Sequence, residues 1–158
     1  MPGDLLRRLV FIGLFAAVVG PSGAAAHTDA GWQVSLRRPA QGTITSPFGR
    51  DGYRWHPGLD IGILQSLDVR AAADGVVVLA GYTPGYDGYG AIVAVEHRDG
   101  YSTLYAHLAK PLVRAGDHVL AGEKIGIAGC TGSCTGTHLH FELRRDGIPI
   151  DPTLLIVG

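Results

Sequence analysis

The chain has 158 residues, 46% of them hydrophobic and 17% charged, and a formal net charge of −1. That length suits one domain with a real core, and the composition is that of a globular chain, which excludes a disordered one. A near-neutral balance with no block of like charge excludes the electrostatic footprint that nucleic acid requires.

Residues 1–26 read as an export signal. Arg7 and Arg8 form a positive start, Leu9 to Val19 is an unbroken apolar run, Gly20 and Pro21 end it, and Ala24-Ala25-Ala26 offers small residues for cleavage. The run is too short for the roughly 20 apolar residues of a spanning helix. The expectation is therefore a secreted chain with no stable membrane anchor once the signal is removed. Residues 27–38 are polar, with Trp32, Val34 and Leu36 in alternation, and suit a linker or an edge strand.

Residues 39–158 form the expected domain. Its 24 glycines and 9 prolines, counted over the whole chain, favour turns and short strands. In chain order the predicted strands are Leu59 to Ile63, Val69 to Ala73, Gly75 to Ala80, Ala91 to Glu96, Tyr101 to Leu108, Lys124 to Ala128 and His138 to Arg144. Arg98-Asp99-Gly100 and Arg145-Asp146-Gly147 are hairpin turns. No stretch beyond the signal keeps a 3.6-residue apolar period over a helical length, so the fold class is all-β. Gly116-Asp117-His118-Val119-Leu120-Ala121-Gly122 has the GD-x-V-x-x-G form of barrel-sandwich hybrid folds, which informs fold only.

Cys130 and Cys134 lie in a glycine-rich stretch. Outside the cytoplasm such a pair normally oxidises, and CxxxC without a second cysteine pair makes a poor structural zinc site. A Cys130–Cys134 disulfide is expected, stiffening the chain just before His138. The loop it closes is short, so the chain-entropy model assigns it only about 2 kcal/mol.

The chemistry concentrates on histidines. In His138-Leu139-His140, strand alternation points both imidazoles one way and Leu139 and Phe141 the other. In His56-Pro57-Gly58-Leu59-Asp60, Pro57 and Gly58 exclude a helix, yet a loop entering a strand can bring His56 and Asp60 to one ion. A carboxylate in an apolar run is costly to bury unpaired and favours a cation nearby. Two imidazole nitrogens and one carboxylate oxygen make a three-ligand set, which on zinc leaves a fourth position for water and marks a catalytic site. Further imidazoles beside such a site can move protons, and His107 in Tyr105-Ala106-His107-Leu108 is the candidate partner of His138.

With Ser46-Pro47-Phe48-Gly49, the segment Tyr101 to Leu108 and Gly136-Thr137-His138-Leu139-His140-Phe141-Glu142 added, the chain from about Ile44 to Pro152 resembles the lysostaphin-type (LytM-like) zinc metallopeptidases. The resemblance implies an antiparallel barrel-sandwich hybrid (duplicated hybrid motif-like) with an open groove over the metal. It implies one zinc per chain held by His56, Asp60 and His140, with His107 and His138 as the catalytic pair that does not ligate. It also implies a peptidoglycan peptide as substrate, so the expected protein is a secreted endopeptidase acting at the cell wall. Some family members have lost ligands and only bind the wall or activate amidases, so a non-catalytic domain of this fold is the alternative. A carrier domain lacks support, because no modifiable lysine sits in a tight hairpin. The short segment between Phe48-Gly49 and His56, and the cysteine pair, depart from many members. His27, His97 and His118 are expected to be ordinary, while Tyr82, Tyr86 and Tyr89 on a glycine-rich loop, with Arg54 and Trp55, suit either a substrate groove or simple exposure.

Overall fold

The computed structural model describes residues 34–157. The expected signal at 1–26, and the part of the expected linker at 27–33, lie outside the described residues. The strands are β1 (Leu36–Arg37), β2 (Thr43–Ser46), β3 (Gly49–Asp51), β4 (Arg54–His56), β5 (Leu59–Gly62), β6 (Asp68–Arg70) and β7 (Gly75–Tyr82). They continue with β8 (Ala91–Glu96), β9 (Tyr101–Pro111), β10 (His118–Val119), β11 (Lys124–Ala128), β12 (Leu139–Arg145), β13 (Ile148–Ile150) and β14 (Ile156–Val157). Among the described residues, helix is confined to 3₁₀ turns at Asp87–Tyr89 and Pro152–Leu154, so the all-β expectation is met.

The main sheet runs β10-β7-β8-β9-β12-β5-β2, with β11 joining β9 to β6 and β13 adding to β12. Its pairings are antiparallel, as hairpin connections allow. Both expected hairpin turns form. Asp99 and Gly100 turn β8 into β9, and Asp146 and Gly147 turn β12 into β13, all four at positive φ. Short Asp-Gly turns suit that backbone because Asp tolerates it and Gly meets no steric penalty.

Alternation sorts each strand into two faces. Leu59 and Ile61 of β5, Tyr105 of β9, and Leu139, Phe141 and Leu143 of β12 are buried in the main core. Leu104 and Ala106 face the other way, packing with Ile92 and Ala94 into a smaller cluster against Leu79, Tyr86 and Tyr89. The strand expected to run to Ala73 ends at Arg70, and within the 27–38 segment, expected to be a linker or an edge strand, Leu36–Arg37 forms a short strand, with β1 parallel to β14. Its Leu36 is fully buried, which is the hydrophobic gain that docks it.

His97 proves structural. Its Nδ1 lies 2.8 Å from the Asp74 carbonyl, which only accepts, so Nδ1 carries the proton. Nε2 then accepts from Thr103 Oγ1 at 2.8 Å, and that oxygen lies 3.0 Å from the buried Tyr105 hydroxyl. Burial lowers the pKa of His97 below its ordinary value, against the opposing hydrogen bond to Asp74. The unfolded chain therefore takes up this proton first as pH falls through about 6.5, and stability is lost from there towards the lower folded pKa. Urea midpoints at pH 7.5 and 5.5 should fall more for the wild type than for His97→Gln. An equal fall in both would clear His97 of this role.

Candidate metal centre

Strand register brings the site together. In the β5–β12 pair, His140 lies directly opposite Asp60, while Leu139 and Phe141 face Ile61 and Leu59. The apolar partners fill the core face, so Asp60 and His140 emerge side by side on the groove face. His56 ends β4 and reaches the same point through Pro57 and Gly58. A Cβ at Gly58 would collide with the Phe141 carbonyl, so only glycine lets this turn pass close over β12.

The three atoms converge. His140 Nδ1 is 2.9 Å from Asp60 Oδ1, His56 Nε2 is 3.2 Å from the same oxygen, and the two nitrogens are 3.1 Å apart. Zinc–ligand bonds of 2.0–2.1 Å give a tetrahedron with edges of about 3.3 Å, close to this triangle. Second partners choose which nitrogen is free. His56 Nδ1 donates to the Pro47 carbonyl at 2.8 Å, and His140 Nε2 donates to Glu142 Oε1 at 3.1 Å. Neither acceptor can donate back, so both neutral rings turn a lone pair towards Asp60. Three acceptors at this spacing repel one another unless a positive charge lies among them. His56, Asp60 and His140 thus fit a divalent cation such as zinc.

The charges of the free protein agree with that reading. Burial opposes the Asp60 carboxylate. When the His140 and His56 rings take up a second proton in the cation's place they donate to Asp60, and these hydrogen bonds outweigh burial, holding the group well below the usual carboxylate range. The hydrogen bond to Asp60 raises His56 against its own desolvation. Desolvation lowers His140, and its bonds to Asp60 and Glu142 raise it by more.

Glu142 was not singled out from the sequence as a site residue. It is fully buried on the groove face of β12, two residues after His140. Tyr89 Oη donates to Oε1 at 2.7 Å and Arg144 Nε to Oε2 at 2.7 Å, so every lone pair that faces the protein has a donor. The same alternation that revealed the histidine pair could have found it, since 138, 140, 142 and 144 share one face. Carboxylates behind a ligating histidine fix its tautomer and typically carry 10–100-fold in metal affinity. Glu142→Ala should therefore weaken zinc binding by about 10–100-fold, and cost about 1–3 kcal/mol by leaving His140, Tyr89 and the half-buried Arg144 without their shared acceptor. Zinc competition titration and urea unfolding check both, with Glu142→Gln milder on stability. Unchanged affinity in the alanine variant would show that Glu142 does not orient the ligand.

His107 and His138 also reach the site. His138 Nε2 is 3.8 Å from Asp60 Oδ1, and the His107 and His138 rings lie 4.7 Å apart between centroids, tilted by 51°. His107 Nδ1 donates to the Thr131 carbonyl at 2.8 Å and His138 Nδ1 to the Gly136 carbonyl at 2.7 Å. In the neutral form of each ring, Nε2 is therefore the nitrogen that carries the lone pair. Burial holds the His107 pKa below its ordinary value, keeping it neutral at pH 7. The position of His107 is a product of the fold. Strict alternation would turn it into the core with Tyr105, but its φ of +59° kinks β9. Before the kink β9 pairs β12 through Ala106, and beyond it β11 from Leu108. Such an irregularity re-aims a side chain, at a local conformational cost of about 1–2 kcal/mol.

A cleft of about 410 Å³ covers these groups, lined also by Arg54, Trp55, Tyr89, Ser133, Cys134 and Thr135. Of the three loop tyrosines only Tyr89 lines it, while Tyr82 and Tyr86 line a neighbouring pocket. Trp55 stays exposed, edge-on to Phe48 at 5.2 Å. His97 and His118 line a different cavity, and His27 lies outside the described residues. Cys130 and Cys134 are joined in a disulfide, as expected.

Residues 54–152 match Peptidase family M23. The chain is 43% identical over 118 residues to the DD-carboxypeptidase/endopeptidase Mpg of Neisseria meningitidis serogroup B, covering 69% of this chain and 26% of that protein. It is 38% identical over 116 residues to the murein hydrolase activator NlpD of Escherichia coli K12, covering 73% of this chain and 30% of that one. The fold superposes with a TM-score of 0.64 on a zinc-containing peptidase from Vibrio cholerae, at 32% identity over 75% of this chain and 39% of that chain. The chain thus spans roughly a quarter to a third of the length of these curated relatives. Because the match runs from β4 through β13 and takes in His56, Asp60, His107, His138 and His140 together, the chain belongs to peptidase family M23, the lysostaphin-type peptidases.

Proposed function

We propose that this chain is an exported zinc metalloendopeptidase domain that hydrolyses peptide bonds in the stem peptides or cross-bridges of peptidoglycan. The observation that carries the reading is the convergence of three lone pairs from His56, Asp60 and His140, overlooked by two further imidazoles with fixed tautomers. Bound zinc would supply Lewis acidity, polarising the scissile carbonyl and making water nucleophilic near neutral pH. The chain's own residues supply the rest. His107 or His138 takes a proton from the attacking water at Nε2, and a proton is then returned to the leaving amine as the C–N bond breaks. Water's oxygen ends in the new carboxylate and its protons are divided between products, so the pair finishes as it began. Strands β5, β12 and the kinked β9 carry Asp60, His140 and His107, while His56 ends β4 and His138 directly precedes β12, which keeps the five groups in reach of one another.

Export and an extracytoplasmic location are supported by the pattern at residues 1–26 and by the disulfide, which persists in an oxidising compartment. A second reading, as an activator of other wall enzymes, is suggested by the Escherichia coli relative; the intact set of ligands and imidazoles favours hydrolysis. Purified peptidoglycan incubated with the zinc-loaded protein should release fragments with new amino termini, and a chelator should stop the release. Mass spectrometry of the fragments identifies the bond. No release from any defined muropeptide, with faster wall degradation only when an amidase is added, would establish the second reading.

A further inference from the structure

We infer that the Cys130–Cys134 disulfide is the positioning element for His138, holding the carbonyl that selects its tautomer. The inference rests on the proposed role of His138 and assigns a part in it to a feature outside the ligand set. The two imidazoles draw their acceptors from one loop, but the loop is anchored unevenly. Thr131, whose carbonyl takes the His107 proton, is tied through its hydroxyl to the Leu108 carbonyl at 2.8 Å and to Ala91 N–H at 3.0 Å. Ser133 N–H adds a bond to the Gly88 carbonyl at 2.9 Å. His107 is therefore held by strands β8 and β9 whatever the cysteines do.

The other half of the loop lacks such ties. Thr135, Gly136 and Thr137 are exposed, and among the described residues no backbone hydrogen bond fastens them to another element. The next bond is the one from His138 N–H to the Gly129 carbonyl at 3.2 Å. Yet Gly136 supplies the acceptor for His138 Nδ1 at 2.7 Å. Past the Ser133 bond, what holds this span is the covalent link from Cys134 to Cys130, two residues beyond the end of β11. Cys134 also lines the cleft beside His138. With the link cut, a glycine-containing exposed span regains its freedom. Gly136 then leaves its place, and His138 can put its proton on either nitrogen.

The test compares oxidised wild type with Cys130→Ser/Cys134→Ser, measuring zinc content, kcat and KM on a defined muropeptide, and the hydrogen-bonded imidazole N–H resonances by NMR. The variant should keep its zinc and its KM and lose about tenfold to a hundredfold in kcat, the range that small misplacement of a reacting group produces. The Nδ1–H resonance of His138 should vanish while that of His107 persists, a difference that general destabilisation would not produce. Persistence of the His138 resonance, loss of both resonances alike, or an unchanged kcat overturns the inference. If the wild type itself hydrolyses nothing, the proposed function fails, and the His138 resonance alone decides the positioning claim. Should the double variant not fold, the same two resonances are followed in wild type before and after reduction of the disulfide.

Discussion

Asp60→Ala and His140→Ala should each lose bound zinc and hydrolysis together, the largest effect expected anywhere in the chain. Each substitution deletes one of three atoms lying 2.9–3.2 Å apart, leaving two donors where a closed set needs three. Residues behind a ligand typically carry 10–100-fold in affinity, so a ligand itself should cost more than about 100-fold. Metal analysis after dialysis against a weak chelator, run beside the fragment-release assay, reads both quantities. The folded state should survive in Asp60→Ala, because Asp60 is partly exposed at the groove and the buried His140 keeps its other bond to Glu142. His140→Ala is expected to be less stable, since it deprives the buried Glu142 of one donor. Full zinc occupancy in both variants would remove these residues from the ligand set.

His138→Ala and His107→Ala should separate metal binding from catalysis. Neither side chain belongs to the triangle of donors, so zinc content should match wild type. General acid–base assistance is typically worth 10²–10⁴ in rate, so each variant should lose at least about a hundredfold in turnover. Combined, the two losses should fall well short of their product, because the rings stand 4.7 Å apart between centroids and serve one transition state. His107 carries a second signature. Its αL backbone is a strained choice for a β-branched or bulky residue but tolerable for glycine, so His107→Gly should disturb folding less than His107→Val while abolishing turnover equally. Near wild-type turnover by any zinc-loaded variant would return that histidine to a structural role.

Much of the site was legible before any fold was known. Pro57 and Gly58 ruled out a helix, and a loop entering a strand could still bring His56 and Asp60 to one ion. Period-2 alternation put His138 and His140 on one face and Leu139 and Phe141 on the other, and the structure keeps that division. The two Asp-Gly hairpins followed from local chemistry, and the disulfide from the cysteine spacing together with the export pattern. Two features escaped. Glu142 stands between the apolar Phe141 and Leu143, and only the fold shows that its own face is the groove. The tyrosine loop was read as one unit, although its backbone turns only Tyr89 into the cleft.

Residue type and spacing by themselves pointed to an all-β chain and to two short clusters of candidate metal donors, because each depends on neighbours within a few positions, and the export pattern at residues 1–26 added the disulfide. Only the tertiary structure decided how those groups are shared out. The cross-strand register that sets His140, and not His138, opposite Asp60 comes from how β5 and β12 pair, a contact between segments far apart in the chain. The kink that turns His107 out of the core belongs to β9's change of partner from β12 to β11. The carbonyls of Pro47, Thr131 and Gly136 select a tautomer for three of the histidines. A backbone carbonyl is present at every residue, so no side-chain pattern can reveal which ones the fold will aim at an imidazole.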